Sequence, residues 1–379
     1  MNAQQTGAPK VTKETKNKIR VEFERTPLKE RLKAKFINMA FVGGIIWYIF
    51  RFILLLGIAY IVLFPFYTKI AGSFMGRNDF VDVTVMLIPK DFSLDMYKFI
   101  LLENEYFAAF GNTLLLSAST ALIQTFICCL IAYGLAKFKF KGSGLVFMAV
   151  ILTMVVPHQT IQYSMFMNFR YFDILGIIKF LSGNATVGEI GFLNDILSNI
   201  NIFGAEPTSK FLKAVVDEGA FNLNNSYWPL IILSLTGLGF KNGLYVFMLR
   251  QFFMGVPNEL EESAYIDGSG VGRTFLQIIL PLSVPMMITV FLFAFSWQWT
   301  DTFYTDTFFT IQDKATLLPK IVDVPDSLSS VVDPAYQNLY YAAVRNTCGI
   351  MIIAPLVVLY LFCQRFLVQG IERSGLTAD

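Results

Sequence analysis

Apolar residues run through this chain in long blocks, not in the short alternations or three-to-four-residue stripes of a water-soluble fold. A hydrocarbon layer about 30 Å thick needs about 20 apolar residues of helix. Six blocks meet that length, at 52–70, 113–136, 144–166, 228–250, 282–299 and 347–366. A further apolar stretch, 36–50, precedes the first. One straight helix over both would be about 50 Å long at about 1.5 Å per residue, too long for a single crossing. The Gly43-Gly44 pair and Arg51 therefore predict an interfacial elbow over 36–51, with Arg51 at headgroup depth.

Composition agrees with an all-α membrane protein. Of the 379 residues 55% are hydrophobic and only 15% charged, and the mean hydropathy is +0.55, which excludes a disordered or mainly solvated chain. A net charge of +2 argues against general nucleic-acid binding. The single histidine, His158, and four cysteines in apolar runs leave no metal cluster of ordinary size, and Cys128, Cys129, Cys348 and Cys363 read as packed thiols.

The charges are unevenly placed, and this predicts orientation. Residues 10–35 hold ten Lys/Arg against four Glu, and the 137–141 loop holds Lys137, Lys139 and Lys141 without an acid. Both belong in the cytoplasm, so residues 1–35 form a basic cytoplasmic extension and both termini are cytoplasmic. No cleavable signal segment is expected. The loop after the first span is rich in Asp and Glu and belongs outside. So do an extra segment at about 172–226 and the Asp-rich stretch 301–345, read as a solvated loop because its spacing does not match a calcium loop.

Between the fourth and fifth blocks the chain reads Val256-Pro257-Asn258-Glu259-Leu260-Glu261-Glu262-Ser263-Ala264-Tyr265-Ile266-Asp267-Gly268-Ser269-Gly270, then leads to Pro281. Local rules make this helix–turn–helix. Asn258 is an N-cap with Glu261 placed for a capping box, the glutamates suit the helix N-terminus, and Gly268 stops the helix.

The same residues resemble the EAA loop of ABC importer permeases. The run Glu-Glu-Ser-Ala-x-x-Asp-Gly-Ser, preceded by Leu-Arg-Gln-Phe-Phe (249–253), is similar to the carbohydrate-importing, maltose-type branch and its smaller permease subunit. Gly111-Asn112-Thr113-Leu114 and the ending Arg365-x-Leu-Val-x-Gly agree. The resemblance covers about residues 50–379, with 52–379 as the permease domain and 255–275 as the EAA loop. It implies six transmembrane helices of the type I kind, a second homologous permease, two ATPase subunits, an extracytoplasmic sugar-binding protein and a bacterial inner membrane. ATP and Mg would be bound by the ATPase; no cofactor and no enzyme activity are expected of this chain, which lacks Gly-x-x-x-x-Gly-Lys-Ser/Thr and a nucleophile–base pair. Glu261, Glu262, Ala264, Asp267 and Gly268 would couple it to that ATPase.

For the pathway, Lys241 lies nine residues before Arg250 and so about 13 Å into the membrane, where a charge needs water or a partner. On a continuous helix Gly237, Lys241 and Leu244 share a face with Phe240 beside them, and Phe293, Trp297 and Thr300 repeat that spacing. Through the EAA resemblance these positions are similar to sugar-lining positions of the larger maltose permease subunit. The expected cargo is a sugar or oligosaccharide; the alternatives are a uronic-acid saccharide, an amino acid or a peptide.

Overall fold

The computed structural model describes residues 39–172, 220–239, 241–310, 316–329 and 336–373, with short strand segments at 11–12, 20–21 and 215–217. The chain divides into two units, 1–68 and 69–379.

The first unit holds a two-residue hairpin, β1 (Val11–Thr12) antiparallel to β2 (Arg20–Val21), and most of helix α1 (Met39–Ser73). The elbow expected over 36–51 is not a separate element, because α1 passes unbroken through Gly43-Gly44 and Arg51. Two glycines cost a helix about 1 kcal/mol each, whereas backbone left unpaired in hydrocarbon costs several. Continuation is the cheaper outcome.

The second unit is built around α3 (Tyr106–Lys137), preceded by the short α2 (Asp95–Glu103). A stripe of small residues along α3, including Ser117, Thr120, Ala121, Thr125, Cys128 and Ala132, is fully or almost fully buried. Small side chains let neighbouring backbones close in, and hydroxyls there turn back on their own helix: Thr120 and Thr125 each donate to the carbonyl four residues earlier at 2.7 Å. Against this stripe pack α7 (Asn242–Gly255) and the long α9 (Val271–Trp299), and α9 in turn packs on α11 (Gln337–Arg373). The main core gathers Tyr245, Leu249, Phe253, Ile279, Val290 and Trp299. All four cysteines are free, three of them buried there, as expected.

Among the described residues four helices are long and apolar enough to cross a membrane: Gly43–Ser73, Tyr106–Lys137, Val271–Trp299 and Gln337–Val368. The other two predicted spans are broken. The third becomes α4 (Ser143–Val155) and α5 (His158–Arg170), bent by 100° at Val156-Pro157. Pro157 lacks an N–H and disfavours helical backbone at Val156, which is extended at ψ 120°. The fourth becomes α6 (Trp228–Leu235) and α7, and the described residues between them, 236–239 and 241, are not helical. The fifth is longer than expected. The helix passes through Pro281 and, by a π-helical turn at Phe275–Ile279, runs back to Val271.

Above the broken spans a second core joins Phe169 of α5, Leu230 and Leu233 of α6, and Tyr304 and Phe308 of α10 (Phe303–Phe308). The stretch 301–345 is therefore not merely solvated. Asp301 is buried and caps α10, its Oδ2 accepting from the Tyr304 and Thr305 amides at 2.9 and 3.0 Å. A small hairpin, β3 (Val215–Asp217) with β4 (Ala220–Asn222), adjoins α5. Most of the extra segment at 172–226 lies outside the described residues.

Candidate transport site

The predicted coupling segment folds as a short helix, α8 (Glu259–Ile266), between α7 and α9. Its C-terminus closes as expected. Gly268 stands at φ +81°, the Gly268 amide donates to the Tyr265 carbonyl at 3.0 Å, and the Ser269 amide donates to that of Ala264 at 2.9 Å. This left-handed closure is why a glycine follows Asp267. The turn then leads straight into α9, so α8 and a membrane-length helix share one glycine joint.

The N-terminus differs from expectation. Asn258 makes no capping bond to its own helix. Its Oδ1 instead accepts from Lys137 Nζ at 2.8 Å. The same ammonium donates to the Val256 carbonyl at 2.7 Å and pairs with Glu261 Oε1 at 3.7 Å. Both charged side chains are nearly buried, at 6% and 10% exposure, so their removal from water is offset by each other and by the two added bonds. Lys137, which sequence reasoning left as a loop charge, is the residue that anchors the start of α8. Its signal was the single lysine at the last turn of an otherwise apolar helix. Glu261 and Ala264 face inward, whereas Glu262, Asp267 and Gly268 are exposed together with Leu260, Tyr265 and Ile266, the last at 86%.

The predicted pathway residues do not share a helix face. Gly237, at φ +74°, and Lys241, at φ +65°, lie in the break between α6 and α7, and Phe240 lies outside the described residues. A left-handed lysine costs about 1–2 kcal/mol, and such strain gathers at functional sites. From there the Lys241 ammonium reaches over the Trp297 ring, 5.4 Å from its centroid. Trp297 stacks on Phe293 at 6.1 Å and on Tyr245 at 6.0 Å. The structure thus unites Lys241, Phe293 and Trp297 by a route other than the one the periodicity suggested. Leu244 and Gly237 flank them on their own elements, and Thr300 is exposed at the far end of α9.

Both breaks occur at one level. At about 1.5 Å per residue, α4 and α7 each rise about 20 Å from the end marked by Lys137. They touch there. A Cβ on Gly243 would stand 2.7 Å from Met154 Cγ and 2.9 Å from the Val150 carbonyl, so only glycine admits this contact. Polar groups collect beside it. Gln124 Nε2 donates to Ser234 Oγ at 3.2 Å, while both amide atoms of buried Asn242 find no partner among the described residues. The Asn112-Thr113 pair opening the second span ties α3 to the segment before α11. Asn112 donates to the Thr316 carbonyl at 3.1 Å, and Thr113 accepts from the Leu318 amide at 2.9 Å. His158 lies at the bend, its ring 6.2 Å from that of Tyr304.

Residues 124–373, which include α8, its joint and both breaks, match the family described as "Binding-protein-dependent transport system inner membrane component". The chain belongs to this family. Family members are membrane components of transport systems and not enzymes. Two relatives resemble it over nearly their whole length. Protein LplC of Bacillus subtilis (strain 168) is 25% identical over 83% of this chain and 89% of that protein. The arabinooligosaccharides transport system permease protein AraQ of the same organism is 24% identical over 86% and 93%. Among solved structures, a bacterial ABC transporter involved in the import of the acidic polysaccharide alginate shares the fold, with a TM-score of 0.57 at 17% identity over 85% of this chain and 97% of that one.

Proposed function

We propose that this chain is one of two permease subunits of an ATP-driven saccharide importer in a bacterial inner membrane. In this reading it crosses the membrane six times with both termini cytoplasmic, each broken span counting once. Its partners are a homologous permease, two ATPase subunits that bind ATP and Mg, and an external sugar-binding protein. The observation that carries the reading is α8. It is fixed to α3 through Lys137, closed by Gly268, joined directly to a membrane-length helix, and still presents Leu260, Tyr265 and Ile266 unburied beside Glu262 and Asp267. A rigid helix with an apolar, acid-edged outer face suits a cleft on a partner that pushes it. Glu261 and Ala264 seat the helix, Glu262 and Asp267 face the ATPase, and Gly268 lets it come close.

The cargo class is supported by the arabinooligosaccharide permease among the relatives. It is also supported by the aromatic face of Trp297 and Phe293 with the Lys241 donor above it, a fitting surface for a sugar ring. The test is to purify the tagged chain. An ATPase and a second permease should come with it, and Asp267→Ala should leave that assembly intact while uptake no longer follows ATP hydrolysis. Isolation of the chain without an ATPase would overturn the reading.

A further inference from the structure

On the far side of the Val156-Pro157 bend, α5 presents Gln159, Gln162, Tyr163 and Phe166 at the i, i+3, i+4, i+7 spacing of one helix face. All four line a cleft of about 410 Å³ whose opposite wall is Asp306 and Thr307 of α10 and the following Thr310. The volume is within the usual range for small-molecule sites. We propose that this cleft is a subsite for one unit of a neutral saccharide, separate from the Lys241–Trp297 surface. The proposal rests on the importer reading above and names the substrate class of its outer vestibule.

Four features point that way. The lining combines two carboxamides, a phenol, a carboxylate and two hydroxyls with one aromatic ring. That is the mixture of donors, acceptors and apolar face that a pyranose or furanose ring satisfies. The cleft is held in shape, because Gln162 Nε2 donates to Thr307 Oγ1 at 3.0 Å across it. Asp306 carries the only formal charge among the lining residues, and it is paired with Lys320 at 2.8 Å. A hydroxyl pair can bond that carboxylate, whereas the lining residues include no cation to receive a carboxylate and the nearby ammonium is already engaged by Asp306; the class is therefore neutral. Finally, α4 rises about 20 Å from the Lys137 end before the bend, so in the proposed orientation the cleft opens in the outer half of the protein.

The test uses the full chain in right-side-out vesicles washed free of soluble binding protein. Thr310→Cys is modified with a membrane-impermeant maleimide, and Val83→Cys, an 89% exposed position away from the cleft, serves as control. The probes are maltotriose and arabinotriose as neutral sugars and trigalacturonate as the acidic one, at about ten times a millimolar dissociation constant, which should slow labelling about tenfold. The expected result is that a neutral probe protects Thr310→Cys and not Val83→Cys, that trigalacturonate does not, and that Gln159→Ala with Asp306→Ala abolishes protection. No labelling of Thr310→Cys, or equal protection by trigalacturonate, overturns the proposal. So does absence of protection when vesicles given ATP and binding protein still import a saccharide, which leaves the importer reading standing. If none of the three sugars is imported or protects, both fail.

Discussion

The two ends of α7 are built on opposite principles. At its C-terminal end a buried ammonium, Lys137, is shared by a carbonyl, an amide oxygen and a carboxylate from the segment that leads into α8, and a glycine closure locks the far side. At its N-terminal end the helix starts on a left-handed lysine, beside an asparagine whose amide atoms are buried without partners among the described residues. The first end is held by two hydrogen bonds and an ion pair to one ammonium. The second leaves polar groups unsatisfied, so an arrangement that satisfies them with water or cargo lies close in free energy. A lever and a yielding point on the same helix are what a transporter needs to turn a push at one surface into an opening at depth.

The largest test of that contrast removes the lever's pin. Lys137→Met leaves the Glu261 carboxylate nearly buried and unpaired, a loss on the order of 3–5 kcal/mol. Thermal unfolding in detergent should fall sharply, and Lys137→Met with Glu261→Gln should recover most of it. A single variant as stable as the parent would mean that the joint is not rigid.

The next concerns Asp301, which caps α10 above the breaks. Burial pushes its carboxyl up to about 6 from 3.8, the amide bonds from Thr305 and Tyr304 only partly opposing this. The folded state thus holds the proton more tightly than the unfolded one. The stabilisation is complete below the unfolded value and is lost as pH rises through about 6, by about 3 kcal/mol in total. Asp301→Asn should flatten this slope, raising stability at pH 7 and changing it little at the acid end. A parent whose unfolding temperature does not move between acid and neutral pH would contradict the assignment.

Gly268→Val comes third. Left-handed backbone costs a β-branched residue about 1–2 kcal/mol or more, while nothing crowds the position itself. Membrane insertion should be unchanged and ATP-driven uptake greatly reduced; uptake equal to the parent's would show that the joint tolerates rearrangement. The smallest effect is expected at the yielding point. Asn242→Leu removes two orphan polar atoms and should raise stability by about 1 kcal/mol, with slower uptake as the consequence. A loss of stability would show that those atoms do have partners.

Much of this was legible in the sequence. The apolar blocks located α3, α9 and α11, and the run from Asn258 to Gly268 located α8 and its closure, because helix length in a membrane and glycine at a left-handed stop are local rules. The breaks were not. The first had a local sign, Pro157 followed by the polar His158, Gln159 and Gln162, which length alone overrode. At the second, much of what goes with the break is tertiary: close packing of Gly243 on α4 and the reach of Lys241 to Trp297. Hence the predicted face of Gly237, Lys241 and Leu244 was absent while its chemical members still met. Lys137 escaped for the same reason, since its three acceptors lie about 120 residues away. The helix expected between the turn and Pro281 is present too, and a π turn joins it to the fifth span.

The unbroken α1 has a consequence for the depth of the charge it carries near its start. A helix of 35 residues is about 52 Å long. Even a steep tilt of about 40° leaves it about 40 Å along the membrane normal, against a hydrocarbon thickness of about 30 Å. The excess amounts to two turns or more of helix standing in the headgroups and water. In the proposed orientation that excess lets Arg51, twelve residues into α1, stand among the headgroups instead of in hydrocarbon.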